Sequence, residues 1–244
     1  MESIRIPEAT IKRLSRYSIC LEEMEERGVK LISSHQLAVR CMLKSPQVRR
    51  DFDYFGQFGI RGVGYDVKSL LSDIRRILGG NRVWRLGIVG VGNLGSSLLV
   101  CKDLLKQNYE IVAAFDIHPR KVIGRVSERL RKPAEVFHVN RIKEIAQERK
   151  IEIGLITTPP SEAQKAANML VEAKVTGILN FAPAHIRVPD GYFVRDVFFP
   201  SVLDHLTYLL SNGSPSPRYQ EENHYLVLSQ VISRGLVSAF GQWG

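Results

Sequence analysis

The sequence predicts an α/β protein in two parts, a helical N-terminal domain followed by a doubly wound parallel sheet, and three observations carry the prediction. Residues 7 to 78 have helical periodicity broken by short turns. Residues 84 to 180 alternate short apolar strands with amphipathic helices. Between them, Leu78-Gly79-Gly80-Asn81 has the composition of a helix C-terminus followed by a joint. The expected divisions are residues 1–80, residues 81–198, a separate C-terminal helix at 199–211, and a linker with a tail of unassigned role at 212–244.

In the first part, Ile11, Leu14, Leu21 and Met24 mark one face of a helix begun by Pro7. Ser33 with Gln36 fits a capping box opening a second helix that buries Leu37, Ala38 and Cys41. After a short turn, Ser45 is placed to cap a third helix with Pro46 at its first position, which makes a helix-turn-helix. The third helix buries Val48, Phe52 and Phe55, leaving Gln47, Arg49, Arg50, Asp53 and Tyr54 outward. Such a face suits the major groove of DNA, where Arg donates bidentately to guanine and Gln to adenine. The glycine-rich run Gly56 to Tyr65 reads as a small hairpin, a wing carrying Arg61 near its tip. A fourth helix closes the core with Val67, Leu70, Leu71, Ile74, Ile77 and Leu78. Pattern alone is equally consistent with a helical cap or dimerisation domain with a solvated charged face.

In the second part, the strand Arg85 to Val89 runs into Gly90-Val91-Gly92-Asn93-Leu94-Gly95, and a helix continues from Ser96. A second strand, Tyr109 to Phe115, ends at Asp116, 21 residues after Gly95. This is the full βαβ dinucleotide-binding fingerprint of a Rossmann-type sheet, not glycines alone. Gly90 makes the tight turn, Gly92 admits the pyrophosphate, Gly95 lets helix pack on strand, and the helix N-terminus offers unpaired N–H groups. Asp116 would accept from a ribose hydroxyl and repel a 2′-phosphate, which favours NAD(H) over NADP(H), although His118, Arg120 and Lys121 follow closely. Further strands are expected at Val136–His138, Ile151–Ile156 and Gly177–Asn180, with helices at Ile142–Glu148 and from about Ser161. Ligands lie at strand C-termini in such sheets, so Thr157, Thr158, Pro159, Asn180 and Phe181 join the candidate cofactor contacts.

The formal charge of +9 favours a polyanionic partner such as nucleic acid or acidic lipid. Residues 1–80 hold 14 basic and 10 acidic groups, so charge does not by itself assign DNA to that domain. Cys20, Cys41 and Cys101 have no disulfide or zinc spacing and read as buried thiols in a reducing compartment, while the six histidines are scattered, so no metal is expected. With no long apolar run and no signal-like start, a cytoplasmic protein is expected, with no membrane contact. No His/Asp, Tyr/Lys or Cys constellation stands out as catalytic, and His185 and His205 read as surface or packing residues. The competing reading is an NAD-dependent oxidoreductase with a helical accessory domain. The helix with Val202, Leu203, Leu206, Leu209 and Leu210 is too apolar to lie exposed. It covers a groove either in its own domain or in a second subunit.

Taken together, these motifs resemble the Rex family of bacterial redox-sensing transcriptional repressors. The likeness rests on Gln47-Val48-Arg49-Arg50-Asp51, Tyr54-Phe55-Gly56, Arg61-Gly62-Val63-Gly64-Tyr65, the glycine loop with Asn93-Leu94, and Ile178-Leu179-Asn180-Phe181-Ala182-Pro183, in one order over about residues 5 to 211. It implies a winged-helix domain joined to a Rossmann domain, a homodimer formed through exchanged C-terminal helices, cofactor NADH/NAD+, and palindromic operator DNA bound when NADH is scarce and released when NADH binds. By that likeness the DNA contacts are Arg13, Ser45, Gln47, Arg49, Arg50, Tyr54 and Arg61. The cofactor contacts are Gly90, Val91, Gly92, Asn93, Leu94, Gly95, Asp116, Thr157, Thr158, Pro159, Asn180, Phe181 and Phe199, the last being the aromatic inserted near the partner's nicotinamide. Two positions depart from the pattern: Phe198 stands where an acidic residue is expected, and Ile19 where its basic partner is expected. The segment 219–244 is also outside the pattern and reads as a disordered extension, with a docking helix as the alternative.

Overall fold

The computed structural model describes residues 6–56, 58–60, 63–100, 108–126 and 135–212. These fall into two compact units, one ending at Asn81 and the other running Arg82–Asn212. The segment 219–244 lies outside the described residues, as do Arg61 and Cys101.

The first unit consists of α1 (Glu8–Glu26), β1 (Leu31–Ile32), α2 (Ser34–Arg40), α3 (Ser45–Asp53), β2 (Tyr65–Asp66) and α4 (Val67–Ile77). Pro7 is the N-cap of α1, where its missing N–H costs nothing. The Ser33–Gln36 capping box forms in both directions and starts α2. Ser45 does not cap α3: it is the first helical residue, Lys44 occupies the cap position, and the Ser45 hydroxyl instead lies 3.3 Å from His35 Nδ1. Asp66 caps α4 by accepting from the Ser69 N–H. That helix ends in a Schellman turn, with Gly79 at φ +80° and the Gly80 N–H bonded to the Arg75 carbonyl at 2.7 Å.

Leu14, Tyr17, Leu21, Ile32, Leu37, Val48, Phe52, Leu70, Leu71 and Ile74 make the core. Phe52 is its hub, meeting Tyr17, Phe58 and Tyr65 edge to face at 5.3, 5.2 and 5.3 Å. Each such pair adds roughly 0.5–1.5 kcal/mol beyond area burial, so α3 is fixed at once to α1, to the segment after it and to β2. The strand β1 is not foreseen by the sequence, because two residues are too few to show alternation. It pairs antiparallel with β2, and Ile60 bridges Gly64 just before, which gives the wing its base.

The second unit is a six-stranded sheet, all parallel, in the order β5-β4-β3-β6-β7-β8. The strands are β3 (Trp84–Val89), β4 (Tyr109–Asp116), β5 (Val136–His138), β6 (Ile153–Ile156), β7 (Gly177–Asn180) and β8 (Phe193–Asp196). Helices α5 (Asn93–Val100), α6 (Pro119–Val126), α7 (Ile142–Glu148) and α8 (Pro160–Glu172) connect them. Alternate strand residues feed two cores. Val89, Ala113, Phe115, Ile156 and Ile178 pack with α7 and α8, whereas Ile88, Ala114 and Leu155 pack with Leu98 of α5 and Val122 of α6. Helices therefore cover both faces, as a parallel sheet requires.

The sequence reading ends the sheet at β7, and the structure adds β8 at the edge. Its Phe193, Arg195 and Asp196 are exposed, so the segment lacks the apolar run of a buried strand. The last helix, α9 (Phe199–Ser211), has no buried residue. Among the described residues, no helix is long and apolar enough to cross a membrane, and no three His, Cys, Asp or Glu residues are grouped to hold a metal ion.

Candidate functional site

Strand order reverses at β3, whose neighbours β4 and β6 leave toward opposite edges, so a crevice opens beyond the carboxyl ends of β3 and β6. The glycine loop follows β3, and Thr157-Thr158-Pro159 follows β6. Gly90 turns the chain at φ +92°, with its N–H bonded to the Phe115 carbonyl and its carbonyl accepting the Thr157 hydroxyl at 2.5 Å. A Cβ on Gly95 would lie 2.2 Å from the Gly90 oxygen, so only glycine lets α5 approach the turn. A Cβ on Gly92 would meet nothing within 4 Å. Protein packing therefore does not require glycine there, whereas a phosphate held against the backbone would.

The first N–H of α5 bonded to a backbone carbonyl of its own turn is that of Ser96, which donates to Gly92. Those of Asn93, Leu94 and Gly95 precede it and have no intrahelical acceptor, which is the arrangement that binds anions. Asn93 and Leu94 are exposed at this mouth, while the Val91 side chain is buried in the α5–α6 core.

Asp116, at the end of β4, has a second task beyond the one read from sequence. One carboxylate oxygen accepts the Val91 N–H and the other the His118 N–H, both at 2.8 Å. It thereby ties the loop to β4 and keeps lone pairs for a ribose hydroxyl. His118, Arg120 and Lys121 beside it are exposed. The Thr158 hydroxyl oxygen is buried with no hydrogen-bond partner among the described residues. An orphaned hydroxyl at the strand end fits a polar ligand group that completes it. Thr158→Val should accordingly stabilise the ligand-free protein by about 1 kcal/mol, by removing an unsatisfied buried group. Dinucleotide affinity should fall severalfold in the same variant. Urea unfolding and a dinucleotide titration check the two halves.

Asn180 needs correcting. It is fully buried, its side-chain amide donates to the Ala184 carbonyl at 2.8 Å and to Asp196 at 2.7 Å, and its oxygen accepts the Ala182 N–H at 3.1 Å. It shapes the 181–184 loop from within and offers nothing to a ligand. Phe181 is half-buried against the α5–α6 core, and Pro159 is the exposed N-cap of α8. Phe199 stands 58% exposed on the first turn of α9, and among the described contacts none joins it to the loop. His185 is fully exposed, with its Nδ1 3.8 Å from an Asp196 carboxylate oxygen.

On α3, Arg49 and Arg50 are exposed with Asp53, and Arg49 also donates to the Ser34 hydroxyl at 3.2 Å. Tyr54, expected outward, is half-buried. Arg13 and Gln47, expected to face DNA, turn inward instead. Arg13 grips the buried carboxylate of Asp51 through Nε at 2.6 Å and a terminal nitrogen at 2.7 Å, and Gln47 donates to the same carboxylate at 3.0 Å. Tyr17 at 2.7 Å and Thr10 at 3.3 Å complete its shell. A carboxylate with no exposure requires such donors, and these side chains are the nearest ones. The contact with Asp51 raises the Arg13 pKa, with desolvation opposing it. Burial first, and then Asp51, push the Tyr17 hydroxyl far above its ordinary range, so it acts as a neutral donor. The sequence reading missed this cluster. Its signal was the spacing of Asp51 three residues after Val48, on the buried face.

Residues 5–53 match the family model described as "Putative DNA-binding protein N-terminus", and residues 81–184 match the "CoA binding domain" model. The chain is 47% identical over 214 residues to the redox-sensing transcriptional repressor Rex of Syntrophobacter fumaroxidans, covering 88% of this chain and 100% of that one. It is 42% identical to that of Carboxydothermus hydrogenoformans, over 85% of this chain and 98% of the other. Among solved structures it is similar to RSP in complex with beta-NAD+ and operator DNA, with TM-score 0.79, 32% identity and coverage of 85% and 94%. RSP in complex with beta-NADH gives TM-score 0.76, 31% identity and coverage of 86% and 96%.

Proposed function

The chain belongs to the Rex family of redox-sensing transcriptional repressors, and from that premise we propose that NADH, held at the glycine loop, releases it from operator DNA. The observation that carries this reading is the likeness to RSP, which has been solved with beta-NAD+ and operator DNA and, separately, with beta-NADH. The protein is a repressor rather than an oxidoreductase.

The backbone N–H groups of Asn93, Leu94 and Gly95 hold the pyrophosphate, Gly92 leaves room for it, and Asp116 takes the adenosine ribose. The same carboxylate argues against coenzyme A, whose ribose carries a phosphate that Asp116 would repel. Arg49 and Arg50 face the DNA, and by the family likeness Arg61 contacts it as well. Arg13, Gln47 and Asp51 set the position of α3 from within. Acting on DNA places the protein in the cytoplasm.

Operator binding is dimeric and the operator palindromic, since a twofold protein reads two half-sites. The exposed Phe199, Leu203, Leu206 and Leu210 of α9 support an exchanged helix, because an apolar helix with nothing buried in its own chain needs a second copy to cover it. Switching follows from differential affinity: the state that cannot hold DNA binds NADH more tightly than the state that can. Phe198 and Ile19 cannot form the ion pair expected at these positions, so the states are held differently here.

Arg50→Ala tests the DNA half. It should weaken operator binding by about 1–3 kcal/mol and leave NADH affinity unchanged. Undiminished operator binding, measured by anisotropy on a palindromic duplex, would remove α3 from the interface.

A further inference from the structure

We propose that Thr157 is a positioning residue for the dinucleotide site: its hydroxyl gives no bond to the ligand but holds the glycine loop in its binding shape beforehand, and so sets the affinity for NADH and NAD+ by one common factor. The effect on binding rests on the dinucleotide reading above. The clamp on the loop stands apart from it.

Thr157 follows the last residue of β6 and is half-buried, and its N–H donates to the Val89 carbonyl at 2.9 Å, which fastens it to the end of β3. Its hydroxyl donates to the Gly90 carbonyl at 2.5 Å, with the Val89 carbonyl as a longer second acceptor at 3.3 Å. A Cβ on Gly95 would come within 2.9 Å of the same hydroxyl oxygen. That oxygen therefore stands where the turn after β3, the first turn of α5 and the end of β6 meet.

A threonine hydroxyl has one proton to give, and here it is given to the protein. A pyrophosphate oxygen only accepts, so Thr157 has no proton left for it. What the bond does is complete the fixing of the loop. The Gly90 N–H donates to the Phe115 carbonyl at 2.8 Å, the Val91 N–H to Asp116 at 2.8 Å, and the Val91 carbonyl accepts the Ser96 hydroxyl at 3.3 Å. With Thr157 on the Gly90 carbonyl, β4, β6 and α5 together hold the N–H and C=O groups of both residues. Gly90 turns at φ +92°, and the loop places Gly90, Gly92 and Gly95 within six residues. Glycine loses more conformational freedom on ordering than any other residue, so such a loop is costly to order at the moment of binding. Bonds already made in the ligand-free protein remove that cost from the binding step.

The residues so fixed come just before Asn93, Leu94 and Gly95, whose N–H groups the reading gives to the pyrophosphate. NADH and NAD+ carry the same pyrophosphate and differ at the nicotinamide ring. Loosening the loop therefore weakens both alike. A loss common to the two forms raises the concentration at which the switch acts and leaves unchanged which form it answers to.

The test uses the full chain and its variants Thr157→Val, Thr157→Ser and Ser96→Ala. NADH and NAD+ are titrated separately by calorimetry, and amide hydrogen exchange over residues 88–97 is followed by mass spectrometry in the ligand-free protein. Thr157→Val keeps the side-chain shape and removes the proton. It should raise both Kd values about tenfold, by factors that agree within about twofold, and should speed exchange across the loop. Thr157→Ser restores the hydroxyl and should bind both forms within about threefold of the parent. Ser96→Ala removes the longer bond to the Val91 carbonyl and should weaken both forms by a smaller common factor, which keeps the proposal open to test if Thr157→Val fails to fold. Unchanged Kd values in Thr157→Val, a loss confined to one dinucleotide, or a Thr157→Ser variant as weak as Thr157→Val each overturns the proposal. If the parent binds neither NADH nor NAD+, the dinucleotide reading fails. Loop exchange in Thr157→Val then still decides on the clamp, faster exchange supporting it and unchanged exchange overturning it.

Discussion

Gly92→Val is expected to abolish the response to NADH while leaving folding and operator binding as they are. The two halves of this result come from different geometries. A Cβ at residue 92 meets no protein atom within 4 Å, so the side chain costs the ligand-free protein little. On the proposed reading it takes up space that the pyrophosphate needs in order to reach the N–H groups of Asn93 to Gly95. Hydrogen bonds to charged groups contribute roughly 1.5–3 kcal/mol each, and losing two of them weakens NADH at least about a hundredfold. Gly95→Ala would be a poor substitute, because its Cβ would strike the Gly90 carbonyl oxygen at 2.2 Å and damage the fold itself. Direct NADH titration by fluorescence, alongside a thermal melt, checks both halves. NADH affinity within threefold of the parent would show that the dinucleotide lies elsewhere.

The second large effect lies in the first unit. Asp51→Ala should destabilise it by about 3–5 kcal/mol, because removing one partner of a buried ion pair leaves the other uncompensated. Asp51 has no exposure and receives donors from Thr10, Arg13, Tyr17 and Gln47. Those residues come from α1 and α3, so the carboxylate is also what registers α3 against α1. Asp51→Asn keeps the shape and one acceptor oxygen and should lose less. Urea unfolding of the full chain followed by circular dichroism measures both variants. A change below about 1 kcal/mol for the alanine variant would mean the cluster is incidental to stability, as exposed pairs usually are.

These two residues also show where sequence reading succeeds and where it stops. The glycine loop was legible because each requirement is local: a buried strand before, a helix after, and an acidic residue at the end of the next strand. The helix-turn-helix was legible through a capping box and the spacing of Val48, Phe52 and Phe55. The Asp51 cluster was not, because three of its four donors are brought to it across 34 to 41 residues, and a charged residue on a helix is read as solvated unless the fold buries it. The same blind spot put Arg13 and Gln47 on the DNA face. Asn180 was placed correctly at the carboxyl end of its strand, yet only the fold reveals that its amide is consumed by Ala182, Ala184 and Asp196. The strand β8 escaped because an exposed edge strand lacks the apolar run by which buried strands are recognised.

The central claim is a coupling between two sites, and one titration addresses it. Fluorescence anisotropy of a labelled palindromic operator, bound by the full chain at fixed salt, is followed as NADH and NAD+ are added separately. NADH should release the DNA, with an operator Kd rising at least tenfold, a coupling of about 1.4 kcal/mol or more, while NAD+ at the same concentration should leave the complex in place. Equal effects of the two forms, or operator retained at saturating NADH, would contradict redox sensing through the glycine loop.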